Sequence, residues 1–116
     1  MTSQEFTAQA RRLGNVSVVS TLGNLEFHAK GVVFATLGSP DVSRAVLRLT
    51  SEAQAEFIAL SGSMFSAEEG GAGARGVTRV RLLGCDADLM RRALAAAHEK
   101  ASLAAGRAPV KPTPRR

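Results

Sequence analysis

The chain has 116 residues, of which 45% are hydrophobic and 22% charged, the balance of an ordinary globular protein. That length suits one domain and supports a core without disulfide or metal staples, and no apolar run approaches the roughly 20 residues that span a bilayer. The formal net charge is +5, but four of the 15 basic residues, Arg107, Lys111, Arg115 and Arg116, lie in the last ten positions, leaving 11 basic against 10 acidic residues, so a basic surface on the rest must come from arrangement rather than excess.

In chain order, Thr2-Ser3-Gln4-Glu5 reads as a capping box. Phe6, Ala10 and Leu13 continue it as one apolar helical stripe, and Gly14 closes the helix. The β-branched run 16–21 predicts a strand and Gly23-Asn24 a turn. Leu25, Phe27 and Ala29 alternate with Glu26, His28 and Lys30, a half-buried strand. Lys30-Gly31 signals a hairpin into the apolar strand 32–37, and Gly38-Ser39-Pro40-Asp41 is turn chemistry. A fourth strand covers 44–49, with Ala45, Leu47 and Leu49 on one side and Arg44, Val46 and Arg48 on the other.

Thr50 or Ser51 caps a second helix, Gln54 completing a Ser51 capping box, with Ala53, Phe57 and Leu60 as its inner stripe. Met64 and Phe65 plug the core edge, and 66–76 reads as a glycine-rich loop. A fifth strand follows over 77–83, Thr78, Val80 and Leu82 opposing Val77, Arg79 and Arg81. Asp86 caps a last helix, 87 to about 103, with Leu89, Ala93, Leu94 and Ala97 inward. The expected architecture is α+β: a five-stranded, mainly antiparallel sheet with its helices packed on one face. Residues 1–106 form the expected domain, and 107–116, with three prolines, a disordered basic tail.

The segments GVVFATL (31–37), RAVLRLTSEAQAEF (44–57), ARGVTRVRL (74–82) and the helix opening DADLMRRALAAAHEK (86–100) are similar, in that order, to the MmcQ/YjbR family of small bacterial proteins over about residues 3–104. The resemblance implies a CyaY/frataxin-like fold and a DNA-binding role assigned by fold analogy. The family's glycine loop usually carries a tryptophan on each side of its basic residues, where this chain has Ala72 and Val77.

Arg44, Arg48, Arg79 and Arg81 are the sharpest candidates for a binding site. If their strands are neighbours they share one sheet face, and guanidinium groups match phosphate bidentately. Arg75, in the glycine loop, is counted with them. The same alternation also suits a solvated strand face. With no Trp and no Tyr, base stacking is scarce, so binding to DNA would be weak, backbone-directed and of low sequence specificity. Gly71-Ala72-Gly73-Ala74-Arg75-Gly76 matches G-x-G-x-x-G, but a helix precedes it and a strand follows, the reverse of the dinucleotide-binding order.

His28 and His98 lack metal-ligand spacing, and the single Cys85 permits no intrachain disulfide or cysteine-based zinc site. No spacing marks a nucleophile. The expectation is therefore a protein without catalytic residues, cofactor or metal. The opening residues lack the apolar stretch of a signal peptide, which with the cysteine usage points to a cytoplasmic protein without a membrane partner. Two functional classes stay open: a nucleic-acid-binding module, or an adaptor for a protein or small ligand that uses the open sheet face or the glycine loop. Deleting 107–116, whose only large apolar side chain is Val110, is expected to move Tm by no more than ~2–3 °C in a thermal melt; a larger fall would show that the tail docks.

Overall fold

The computed structural model describes residues 1–38 and 44–107. The turn expected at 38–41 lies mostly outside them, as does the tail beyond Arg107. Helix α1 (Ser3–Arg11) starts at the expected capping box: Thr2 Oγ1 accepts from the Glu5 amide at 3.1 Å, and Glu5 Oε1 accepts from the Thr2 amide at 2.8 Å. Its buried face is Phe6 and Ala10. Strands β1 (Val16–Thr21), β2 (Asn24–Ala29) and β3 (Val32–Leu37) follow as two hairpins. Each is closed by two residues at positive φ, Leu22-Gly23 (49° and 85°) and Lys30-Gly31 (52° and 84°), the backbone that matches strand twist. The first turn is one residue earlier than Gly23-Asn24, because Asn24 already pairs with Thr21.

Strand β4 (Arg44–Arg48) leads into α2 (Ser51–Leu60), then β5 (Phe65–Ala67), α3 (Gly70–Ala74), β6 (Val77–Arg81) and α4 (Ala87–Arg107). The open sheet is antiparallel throughout, in the order β1-β2-β3-β4-β6-β5. It has six strands rather than the expected five. The additional strand comes from the stretch assigned to core plug and loop: Phe65, Ser66 and Ala67 pair with Val80, Arg79 and Thr78. The remainder of that loop holds α3. Among the described residues, no helix is long and apolar enough to cross a membrane.

One core contains buried residues of α1, α2 and α4 together with Phe27, Ala35, Leu37, Ala45, Leu47 and Val80 of the sheet. Strict alternation would separate Phe34 from Ala35. Both are buried because the β2–β3 register shifts at Phe27/His28, so that Phe34 is an extra residue on β3. Phe6, Phe27, Phe34 and His98 form a chain of ring contacts with centroids 5.4–6.4 Å apart. His98 Nε2 donates to the Gly14 carbonyl at 3.0 Å, tying α4 to the end of α1. Asp86 caps α4 as expected, Oδ1 accepting from the Asp88 and Leu89 amides. Met90, Ala93, Leu94, Ala97 and Ala101 form the buried face of α4, with Leu89 only half-buried, and the helix runs past the expected end near 103 to Arg107.

Helix α2 departs from expectation in two ways. Thr50 is the cap, its Oγ1 accepting from the Ala53 amide at 3.0 Å. Gln54 faces inward beside Phe57, and Leu60 is exposed. The side-chain amide of Gln54 donates to the Gly73 and Val77 carbonyls and to Thr78 Oγ1 at 3.0–3.2 Å. A buried amide with three acceptors joins α2, α3 and β6, and no capping box forms at Ser51. Phe34 is fully buried and touches rings on two elements. Phe34→Ala is expected to cost ~3–5 kcal/mol in chemical denaturation, a large share of a typical domain's stability; near-native stability would contradict this packing.

Candidate anion-binding face

Strands β4 and β6 are hydrogen-bonded neighbours in the register Arg44↔Arg81, Ala45↔Val80, Val46↔Arg79, Leu47↔Thr78 and Arg48↔Val77. Ala45, Leu47, Thr78 and Val80 are buried. The two-residue period therefore places Arg44, Arg48, Arg79 and Arg81 together on the opposite, open face. Arg44 and Arg81 are direct cross-strand partners, and Arg79 sits diagonally between Arg44 and Arg48. Like charges directly opposed on a sheet cost stability.

Strand β5 extends this face by one strand, with Ser66 opposite Arg79. Arg44, Arg79, Arg81, Ser63, Ser66 and Met64 line a depression of about 200 Å³ there. Glu68, which continues the ladder by donating its amide to the Val77 carbonyl, places Oε1 3.4 Å from Arg79 Nε. That contact is an ion pair without hydrogen-bond geometry, since Nε has no hydrogen-bond partner. Among the described residues, Arg44, Arg48 and Arg81 form no ion pair with a carboxylate.

Arg48 lies on the same face but outside the depression. Behind that end of β4, Lys100 Nζ donates to the Leu49 carbonyl at 3.0 Å. Burial lowers the Lys100 pKa from its ordinary value, and the neighbouring Arg48 charge lowers it further. Arg75 is not on the strand. It forms the C-cap of α3, nearer the Val77 end of β6 than the Arg81 end.

The glycines of the G-x-G-x-x-G match serve packing. A Cβ on Gly73 would lie 1.7 Å from the Glu68 carbonyl oxygen, and one on Gly76, at φ +103°, 1.9 Å from that of Leu49. Backbone approaches this close admit only glycine. Gly73 thereby folds α3 back on Glu68, and Gly76 lets the start of β6 meet the end of β4.

The two histidines stand apart from the arginines. His28 pairs with Glu26 at 3.2 Å on the open face of β2, and His98 is held at the α1–α4 contact. Cys85, by contrast, is half-buried between two hollows, one of about 350 Å³ with Glu5, Gln9 and Arg12 and one of about 240 Å³ that adjoins the arginine depression and shares Arg81, Ser63 and Met64 with it. Among the described residues, no three His, Cys, Asp or Glu side chains converge as metal ligands would. The contributions of Ser63, Ser66 and Glu68 could not be read from sequence, because they depend on β5, whose three residues carry no alternation long enough to mark a strand.

No family model matches the chain, and no curated protein or solved structure matches it either. The opposed Arg44–Arg81 pair makes a stability prediction. Arg81→Glu replaces repulsion with attraction and is expected to add a few tenths to ~1 kcal/mol, a rise in Tm of about 1–5 °C. A fall in Tm would show that the two guanidinium groups do not oppose one another.

Proposed function

We propose that the chain is a non-catalytic module that binds the phosphate groups of nucleic acid through the open face of β4 and β6. The observation that carries this reading is the placement of Arg44 directly against Arg81, with Arg79 beside them around one depression. Like charges set directly opposite cost a sheet stability, so solubility alone does not call for an Arg44–Arg81 pair. This face concentrates one sign in a chain whose non-tail charge is nearly balanced, and guanidinium is the side chain best matched to phosphate.

The order of motifs that resembles the MmcQ/YjbR family supports the same reading. The absence of Trp and Tyr makes contact to the backbone, with low sequence specificity, the expected mode. DNA is the proposed partner, and no cofactor or metal enters the proposal.

A protein-interaction role is the second reading, and the β1 edge favours it. That edge is six residues long and uncharged, with Val19 43% exposed on it and Leu22, in the turn that follows, 97% exposed. Edges of this kind accept an added strand unless charge, proline or brevity protects them. The other edge, β5, has three residues.

Salt dependence tests the nucleic-acid reading against the adaptor. Non-specific dissociation constants for duplex DNA of ~10⁻⁴–10⁻⁶ M are expected, with log affinity falling linearly in log salt. Exchanging Arg79 and Arg81 for Gln in the full chain is expected to flatten that slope by about two, a difference in which the tail's own charges cancel. An unchanged slope would place the phosphate contacts elsewhere, and absence of binding at low salt would leave the adaptor reading.

A further inference from the structure

Resting on the nucleic-acid reading above, we infer that the depression between β4, β6 and β5 seats a terminal phosphate, the monoester at the end of a strand, in preference to the internal phosphodiesters of a continuous backbone. Shape is the first reason. The arginines do not lie on a uniformly flat face, because Arg44, Arg79 and Arg81 share a hollow of about 200 Å³ with Ser63, Ser66 and the largely buried Met64. A hollow admits the end of a chain, whereas an internal diester carries a sugar on both sides and reaches a wall with only its two free oxygens.

The donors are the second reason. Three guanidinium groups, each with five N–H donors in a fixed fork, and two hydroxyls exceed what two oxygens accept. A monoester presents three strong acceptor oxygens. Arg79 meets Glu68 by charge alone, and among the described residues the guanidinium groups of Arg44, Arg79 and Arg81 donate no side-chain hydrogen bond.

Charge is the third reason. Three guanidinium cations less the Glu68 carboxylate leave a local charge of +2 among the described residues. A phosphate monoester carries roughly −1.5 to −2 near pH 7, and an internal diester carries one charge. The two serine hydroxyls and the Met64 thioether add none, and among the described residues no His or Cys lines the hollow; Cys85 and Asp86 lie in the adjoining one, past Arg81, so the ligand's own ionisation is expected to set the pH dependence between about pH 7.5 and 5.

The test compares two short single-stranded oligonucleotides of one sequence, labelled at the 3′ end, with either a 5′-phosphate or a 5′-hydroxyl. Each is titrated with the full chain at low salt. At about pH 7.5 the phosphorylated strand is expected to bind on the order of tenfold tighter, the worth of one more charge-assisted hydrogen bond. At about pH 5, below the monoester's second pKa near 6, that preference is expected to shrink.

Exchanging Arg44 and Arg81 for Gln is expected to abolish the preference, with folding checked by circular dichroism. Exchanging Arg48, outside the hollow, is expected to weaken both strands alike and keep their ratio. Equal binding of the two strands by the unaltered chain would overturn the terminal-phosphate inference and leave the nucleic-acid reading standing. A preference undiminished at pH 5, or one that survives in the Arg44/Arg81 variant, would overturn it too. Failure of both strands to bind at low salt would overturn the inference together with the reading it rests on.

Discussion

The antiparallel pairing of β4 with β6 is the constraint on which the site depends. Ala45, Leu47, Thr78 and Val80 are buried in the sheet's inner face. Burying side chains of this size stabilises a fold by about 1.5–3 kcal/mol for each of the larger apolar ones. A slip of one residue would turn that set to water and drive the arginines into the core. The core therefore fixes the register, and the register sets Arg44 against Arg81. Positioning of the arginines requires no contact of their own; it follows from the apolar residues that alternate with them.

The third wall of the site is held in another way. Strand β5 has three residues and could not persist alone. Phe65 packs against Phe57 at a centroid distance of 5.2 Å, and the strand's far end is held by the pairing of Ala67 with Thr78 and by the Glu68 amide donating to the Val77 carbonyl. The site thus combines a central pair of strands fixed by the core with a short third strand held by its ladder to β6 and by the Phe57–Phe65 contact.

Much of this was legible in the residues. Thr2 with Glu5, Asp86 before the last helix, and Lys30-Gly31 each report local chemistry that tertiary structure did not override. The alternation of arginine with aliphatic residues in 44–48 and 77–81 showed which face would be basic. That β4 and β6 are neighbours was a condition the sequence could not supply, because β5 lies between them in the chain and outside them in the sheet.

The misses have physical causes. GGAGA is a poor helix sequence, and α3 exists because Gly73 fits under Glu68 and receives the Gln54 amide. Gln54 stood at capping-box spacing from Ser51, yet its amide is used by the core, and Thr50 supplies the cap. The register shift that buries Phe34 beside Ala35 leaves no mark in the unbroken apolar run 32–35.

The central claim is that one face, β4 with β6 and the adjoining β5, receives phosphate. The most direct measurement is an amide chemical-shift titration of the ¹⁵N-labelled chain with a short oligonucleotide. The account predicts that shifts concentrate at 44–48, 63–68 and 77–81 while the amides of α1 and the hollow it lines with Cys85 stay in place. Shifts centred on α1, α4 or the β1 edge, with β4 and β6 unmoved, would contradict it.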